Sequence, residues 1–158
     1  MKDDKLPWFL MVVTGVVAID RLTKIVAIYN LQNRPSIDIF PFLHLTYTTN
    51  MGISFGLLKG FPWIPFTVGI VVASLIAWHY RKIPSHWIAQ HSAALILAGA
   101  IGNVWDRMVY GTVIDFIDLR IWPVFNIADS AITIGGLMAA YYVFIVERKE
   151  LRKKNKAD

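Results

Sequence analysis

Four long apolar segments limit the folds open to this chain more than any other feature of its sequence. They run from about residue 6 to 29, 63 to 80, 87 to 105 and 127 to 146, and each is close to the ~20 residues that a helix needs to cross a bilayer. Hydrophobic residues make up 56% of the 158 positions, against roughly 45–50% in a typical soluble domain. The sequence therefore predicts one integral-membrane domain, residues 1–158, of the all-α polytopic class with four transmembrane helices.

The first segment shares a short basic start, Lys2 and Lys5, with cleaved signal peptides. No small-residue cleavage site follows its apolar run, and Asp20 and Arg21 stand where one is expected. We therefore expect this segment to be retained as a helix.

The distribution of lysine and arginine predicts the orientation, because cytoplasmic flanks of membrane helices carry an excess of both. The amino terminus, the loop with Arg81 and Lys82, and the basic tail at 147–158 fall on one side of a four-span arrangement. We expect that side to be cytoplasmic and the longer loops, at about 30–62 and 106–126, to lie outside. Much of the net charge of +5 sits in the tail, where it can rest on anionic lipid, so no nucleic-acid partner is expected. The tail holds six basic residues: Arg148, Lys149, Arg152, Lys153, Lys154 and Lys156.

The first outer loop has the character of strands. The stretch IDIFPFLHLTYTTN, residues 37–50, alternates apolar and polar side chains and is rich in β-branched and aromatic residues. This pattern predicts a small extracytoplasmic β-sheet between helices one and two, lying on the membrane surface.

Polar side chains interrupt the apolar segments near one face of the membrane, where a charge costs several kcal/mol and usually marks function. Their convergence at the outer ends of helices one, three and four predicts a shared site. Asn103 and Asp106 share a helical face, and Gly99 and Gly102 before them allow another backbone to approach. The set is Asp20, Lys24, Asn103, Asp106, Arg107, Asp115, Asn126 and Asp129.

Several of these residues allow more than one interpretation. Asp20 and Lys24 are spaced to form an ion pair within one helix, or Lys24 tunes other carboxylates through its charge. Asp106 fits a helix end held by polar contacts, and Arg107 can hold a carboxylate, a substrate carbonyl or a lipid headgroup.

Asp115, in an extended-looking stretch, and Asp129, at the start of the fourth helix, suggest a catalytic pair. Two adjacent carboxylates share a proton, so that one acts as a base toward water and the other as an acid. Such a pair hydrolyses an amide without metal or cofactor. Asn126 is placed to cap the helix, and Asp129 alone also fits a first-turn carboxylate favoured by the helix dipole. Spacing alone does not show that the two side chains meet.

Four motifs resemble the lipoprotein signal peptidase family, also called signal peptidase II, over nearly the whole chain. They are DRLTK (residues 20–24), NMGISFG (50–56), GAIGNVWDRMVYGTVIDF (99–116) and FNIADSAITIG (125–135). The family often has two alanines where this chain has Ile53 and Ser54, which bears on the fit of the substrate. Asp118 lacks the surrounding match, and we expect it to face solvent.

The resemblance implies an aspartic endopeptidase of the bacterial inner membrane, with its active site near the outer face. It cuts prolipoproteins just before the lipid-modified cysteine, and globomycin inhibits it. The implied partners are these substrates and membrane lipid; we expect no cofactor and a monomer. The implied catalytic residues are Asp115 and Asp129, and the implied supporting positions are Asp20, Lys24, Asn50, Gly102, Asn103, Asp106, Arg107 and Asn126.

Three other functions remain open from the residues alone. A small ion or proton transporter needs a polar path through the membrane, but the inner halves of helices two to four are apolar. A structural subunit with polar contacts between helices needs no clustering at one depth. A metal hydrolase is disfavoured because His44, His79, His86 and His91 do not form metal-binding pairs.

Overall fold

The computed structural model describes residues 5–52, 61, 63–149 and 152. Several positions used above lie outside the described residues. They are Lys2, Ile53, Ser54 and, in the basic tail, Lys153, Lys154 and Lys156.

The fold is mostly helical. The helices are α1 (Lys5–Leu31), α2 (Trp63–His79), α3 (Trp87–Tyr110) and α4 (Ile127–Tyr141); a 3-10 turn at Tyr80–Lys82 extends α2, and a π-helical stretch at Tyr142–Glu147 extends α4. Among the described residues, three helical segments are long and apolar enough to cross a membrane: Trp63–Lys82, Trp87–Tyr110 and Ile127–Glu147. Helix α1, which carries several charges in its carboxyl-terminal half, is not one of them.

Helix α3 packs against the other three helices. Its small residues permit this, as the sequence predicted. A Cβ atom on Gly99 would collide with the carbonyl oxygen of Ala128 in α4, and one on Gly102 would lie 2.7 Å from Asp20 Oδ2 in α1. Gly102 therefore admits a carboxylate of α1 directly against the α3 backbone.

The ends of α3 and α4 are set by local chemistry. Helix α3 ends at Gly111, whose φ of +73° is a left-handed conformation that favours glycine, and the Gly111 N–H donates to the Arg107 carbonyl. Helix α4 begins with a capping box, in which the Asn126 side chain accepts from the Asp129 N–H and the Asp129 side chain accepts from the Asn126 N–H. The predicted cap at Asn126 is confirmed.

The sheet contains β1 (Ile37–Phe40), β2 (Leu43–Asn50) and β3 (Val113–Asp118), in that order and all antiparallel. The strands predicted between helices one and two are present. The prediction was wrong in confining the sheet to that loop, because β3 comes from the loop between α3 and α4. The β3 side chains are nearly all buried, and Phe116 packs on Ala27 and Leu31 of α1. The packing of Phe116 on α1 holds β3 beside β2.

Candidate active site

Asp115 and Asp129 line one cavity. Asp115 lies in the middle of β3 opposite Thr48 of β2, and Asp129 lies in the first turn of α4. The cavity has a volume of about 330 Å³, and Asn50, Asn103 and Arg107 also line it. The fold thus brings the two carboxylates to one space, which sequence spacing did not establish.

Two asparagines connect the carboxylates. The Asn126 Nδ2 donates to Asp115 Oδ1 at 2.7 Å, and the Asn103 Nδ2 donates to Asp129 Oδ1 at 2.8 Å. Asn126 Nδ2 also lies 3.3 Å from Asn103 Oδ1. A continuous chain of amide donors therefore runs between the two aspartates, and the side chain at its centre, Asn126, is fully buried.

Asn126 also fixes the backbone on which Asp129 stands. Its Oδ1 accepts from the Asp129 N–H at 2.8 Å, and its own N–H donates to Asp129 Oδ2 at 3.3 Å. The interpretation of Asp129 as a first-turn carboxylate is therefore confirmed, and its catalytic role stays a prediction. The same side chain caps α4 and lines the cavity.

The surroundings of Asp115 shift the pKa of its carboxyl group. Burial raises its pKa to about 7, and the negative charge of Asp129 adds to the increase. Hydrogen bonds from Asn126 and Asn50 and the positive charge of Lys24 oppose that increase. A carboxyl of this kind holds a proton at a pH where an ordinary aspartate has lost it, which is a property required of a catalytic acid.

A buried ionic cluster lies beside the two carboxylates. Lys24 Nζ lies 2.9 Å from Asp20 Oδ2 and 2.7 Å from Asp106 Oδ2, and all three side chains are buried. The predicted pair of Asp20 and Lys24 is confirmed. Because the charge of Lys24 also acts on Asp115, the second interpretation holds as well.

The acidic members of this cluster hold the backbone next to each candidate catalytic residue. Asp106 Oδ2 accepts from the Ile114 N–H at 3.2 Å, one position before Asp115. Asp20 Oδ1 accepts from the Ala128 N–H at 3.0 Å, one position before Asp129. The cluster therefore ties β3 and α4 to α1 and α3, and it sets the relative position of the two aspartates.

Arg21 belongs to the same cluster, which the sequence analysis did not anticipate. Its guanidinium contacts Asp106 Oδ1 and lies 3.2 Å from Asp20 Oδ2. A signal was present, because a second cation directly after Asp20 in an apolar helix needs a partner of its own. Two cations thus face two carboxylates.

Arg107 and Asn50 shape the wall of the cavity. Arg107 donates to the Gly52 carbonyl oxygen at 2.8 Å and to that of Asn103 at 3.3 Å. Its Nε is buried and has no hydrogen-bond partner among the described residues. Asn50 Oδ1 accepts from the Gly52 N–H at 2.9 Å. The predicted partners of Arg107 stay predictions, because these two hydrogen bonds go to backbone carbonyls of the chain itself.

Asp118 does not face solvent, so that expectation was wrong. Only 7% of its surface is exposed. Its carboxylate accepts from Thr46 Oγ1 at 3.0 Å and from the Arg120 N–H at 2.8 Å. The cause is the pairing of β3 with β2, which covers the strand. Asp118 does not line the cavity of Asp115 and Asp129.

The predicted site residues thus fall into one connected group. The supporting residues either line the cavity of Asp115 and Asp129 or contact residues next to it. They are Asp20, Lys24, Asn50, Gly102, Asn103, Asp106, Arg107 and Asn126. Among the described residues, no group of three histidine, aspartate or glutamate side chains could hold a metal ion.

Comparison with known proteins gives one consistent family. Residues 12–145 match the family of signal peptidase (SPase) II. A lipoprotein signal peptidase of Desulfitobacterium hafniense is 40% identical over 145 residues, covering 89% of this chain and 96% of that protein. One from Moorella thermoacetica is 41% identical over 139 residues, covering 87% and 93%.

A solved structure agrees with these sequence matches. It is described as a bacterial membrane enzyme, and it is 30% identical to this chain with a TM-score of 0.79. The match covers 94% of this chain and 92% of that one. With three apolar helices of spanning length in the part of the chain that the structure describes, the protein is a multi-pass membrane protein. The chain belongs to the signal peptidase II family, and it is an aspartic-type peptidase.

Proposed function

We propose that this protein removes the signal peptide from diacylglyceryl-modified prolipoproteins, with Asp115 and Asp129 as its catalytic pair. The cut falls just before the lipidated cysteine. The proposal rests on one observation above the others: two carboxylates from separate elements line one cavity, joined by Asn103 and Asn126. Its relatives are named lipoprotein signal peptidases.

The chemistry follows from the environment of each carboxylate. Asp115, whose pKa burial and the charge of Asp129 raise to about 7, holds the shared proton and donates a hydrogen bond to the scissile carbonyl. Asp129 takes a proton from a water molecule, which attacks the carbonyl carbon. The resulting tetrahedral gem-diol collapses when a proton returns to the nitrogen, and the new amino terminus leaves. No covalent acyl-enzyme forms.

The asparagines and the ionic cluster are positioning residues in this mechanism. Asn126 and Asn103 hold the carboxylate planes through the hydrogen bonds described above. Asp20 and Asp106 fix the backbone on either side, and Lys24 neutralises them. Arg107, at the wall of the cavity with a buried Nε lacking a partner among the described residues, is placed to hold the main chain of the substrate.

Helix α1 is proposed as a fourth span. Its 27 residues give a length of roughly 40 Å, enough to cross a hydrocarbon core of ~30 Å. Asp20 and Lys24 are buried against α3 and neutralised there, so the charges do not meet lipid. The exposed side chains of the helix include the apolar residues Leu10, Met11, Ile19, Leu22, Ile25 and Val26.

The orientation is proposed from the distribution of lysine and arginine along the chain. The protein lies in the bacterial inner membrane with both termini in the cytoplasm. The sheet and the pair of Asp115 and Asp129, called the dyad below, lie near the outer face. The cavity is bordered by α2, α3 and α4. A peptide that enters between these helices reaches the dyad while the acyl chains next to its cleavage point stay in the bilayer.

The test is cleavage by the purified protein in detergent. We expect a diacylglyceryl-modified prolipoprotein to shift on a gel, and the unmodified precursor to remain intact. Globomycin should block the reaction, and a chelator should leave it unchanged. If a folded protein cleaves neither precursor while it carries ions across liposome membranes, the peptidase proposal fails.

A further inference from the structure

The cavity that contains the dyad continues past it toward the middle of the membrane. Asn50, Asn103 and Arg107 line the outer part together with the dyad. Ile96 precedes Asn103 by seven positions on α3, so the cavity reaches roughly 10 Å below the asparagine. This deeper part, called the lower cavity, is lined by apolar residues of three helices: Val68, Gly69, Val72, Ile96, Ala100 and Ile132. The proposed chemistry uses the outer part and leaves the lower cavity without a role.

Thr133 places a polar side chain in this apolar wall. Among the described residues it is the one polar residue of the lower cavity, and its side chain is exposed. It follows Asp129 by four positions on α4, which puts it on the same helical face and roughly 6 Å deeper in the membrane. Thr133 therefore brings a hydroxyl group to the wall directly below the dyad.

The hydroxyl of Thr133 differs from those of the other threonines in the described helices. Thr14, Thr23 and Thr67 each donate to the carbonyl oxygen four positions earlier, at 2.8 Å. Such a bond satisfies the hydroxyl within its own helix. The side chain of Thr133 makes no hydrogen bond to any described residue. Its donor and its acceptor capacity are both free for a ligand in the cavity.

A signal peptide needs a hydrogen-bond donor at this depth, if the proposed function holds. It crosses the hydrocarbon region as an apolar helix, and the last four carbonyl groups of a helix have no partner within it. The peptide must leave the helical form where it is cut, because a peptide bond inside a helix is shielded by its neighbours. Within the membrane, each carbonyl freed in this way costs several kcal/mol unless a donor reaches it.

The spacing of Asp129 and Thr133 selects one of these carbonyls. The signal peptide extends from the cytoplasmic side in the proposed orientation, so the residues before the cut lie deeper than the dyad. An extended chain advances about 3.3 Å per residue, and the 6 Å between the two positions thus corresponds to about two residues. The scissile carbonyl belongs to the residue directly before the cysteine. The carbonyl beside Thr133 then belongs to the third residue before the cysteine.

We propose that Thr133 binds the substrate by donating a hydrogen bond to the main-chain carbonyl of the third residue before the lipidated cysteine. This inference rests on the proposed function and adds a contact on the signal-peptide side of the cut. Because the contact is to the main chain, it holds signal peptides of different sequence equally. It forms in the bound substrate and in the transition state alike, so it acts on KM more than on kcat.

The first test compares variants of Thr133 on a synthetic diacylglyceryl lipopeptide. Thr133→Val has nearly the same shape without the hydroxyl, and it should raise KM about fivefold to tenfold with little change in kcat. Thr133→Ser keeps the hydroxyl and should restore most of the affinity. Thr67→Val is the control, because Thr67 is exposed, lies outside the cavity and uses its hydroxyl within α2. A KM of Thr133→Val equal to that of the parent would overturn the assignment.

A second substrate identifies the carbonyl. In this lipopeptide an ester replaces the amide between the third and second residues before the cysteine, and an ester carbonyl is the weaker acceptor. The ester should cost the parent about threefold more in kcat/KM than it costs Thr133→Val, since the variant has no hydroxyl to lose contact with. An equal cost in the two proteins would show that this carbonyl does not contact Thr133.

A binding measurement separates this inference from the proposed function. Fluorescence anisotropy of a labelled lipopeptide with Asp129→Asn protein needs no cleavage, and adding Thr133→Val should weaken binding about fivefold to tenfold. If the parent neither binds nor cleaves the lipopeptide, the proposed function fails and this inference fails with it. If the parent cleaves and Thr133→Val matches it in both assays, this inference alone fails. Melting curves check folding, and Thr133→Ala replaces Thr133→Val if the latter does not fold.

Discussion

At the scale of single residues, the position of one proton decides what the proposed site can do. Asp115 is buried beside a second carboxylate, and burial together with the charge of Asp129 raises its pKa to about 7. The two groups titrate as a pair, so the observed values belong to the pair. The mechanism requires one proton on that pair, and activity must depend on the pH at which it is lost.

We therefore expect kcat/KM to fall as the pH rises above about 7, with the slope of a single ionisation. The sign follows from the role of Asp115 as the acid, because the active form is the protonated one. The measurement is the rate of prolipoprotein cleavage from pH 5 to 9 in a detergent of constant charge. A rate that continues to rise above pH 8 would contradict this assignment.

Asn50→Ala tests the same point independently of the absolute rate. The hydrogen bond from Asn50 lowers the pKa of Asp115, so its removal raises that pKa. The alkaline limb of the profile should then move to higher pH. A variant that is slower but has an unchanged profile would show that Asn50 acts on the substrate alone.

Some positions of single residues could be predicted from the sequence and others could not. Asp115 and Asp118 lie three apart in one strand, so they face opposite sides of the sheet. Asp118 was assigned to solvent because it lacks the surrounding family match, and the sequence does not show that both sides of the sheet are covered. The helix cap at Asn126 and the ion pair of Asp20 and Lys24 depend on local spacing, and both were predicted correctly.

At the scale of elements, the charged carboxyl-terminal half of α1 connects the elements that carry the site. Lys24 contacts Asp20 and Asp106, and these hold the backbone of α4 and β3. A buried cation between two carboxylates is costly to remove, because the acids are then left under-compensated.

Lys24→Met should lower stability by about 3–5 kcal/mol, the usual cost of breaking a buried charge pair. The corresponding loss in melting temperature is on the order of 10 °C. Lys82→Met removes an exposed lysine and should change the melting temperature little. Similar melting temperatures for the two variants would mean that the buried cluster does not hold the helices together.

Replacing two glycines by alanine should change the stability of the protein in opposite directions. A Cβ at Gly99 would collide with the Ala128 carbonyl oxygen, so Gly99→Ala should destabilise the protein by about 1–3 kcal/mol. Nothing lies within 4 Å of a Cβ at Gly136 in α4, so Gly136→Ala should stabilise it by up to ~1 kcal/mol. Thermal melts of both variants in one detergent give the comparison. Equal shifts would show that α3 and α4 are not closely packed at Gly99.

The sheet shows where element-level prediction stops. Strands β1 and β2 follow from the alternation in residues 37–50, which is a local signal. The partner of β2 is β3, more than sixty residues away in the sequence. No local pattern specifies such a pairing, so the sheet was predicted within one loop and formed with a third strand from the loop between α3 and α4.

At the scale of the whole molecule, the proposed orientation places the dyad near the outer face of the membrane and both termini in the cytoplasm. The chain contains no cysteine, so single introduced cysteines report sidedness without a background. Phe42, in the turn between β1 and β2, and Lys82, after α2, are both exposed.

A membrane-impermeant maleimide should label Phe42→Cys in intact cells and Lys82→Cys only after permeabilisation. This pattern follows if both termini and the loop after α2 lie in the cytoplasm. Labelling of both positions from the same side would exclude α2 as a transmembrane span, and reversed labelling would invert the proposed orientation.

The most direct measurement of the central claim compares three aspartate variants in the prolipoprotein cleavage assay. Asp115→Asn and Asp129→Asn should each lose at least about a thousandfold in rate, because each removes a proton-transfer group. Asp118→Asn, a buried aspartate of the same strand outside the cavity, should remain close to the parent, and equal melting curves would show that all three fold. An active Asp115→Asn or Asp129→Asn protein would contradict the assignment of these two residues as the catalytic pair.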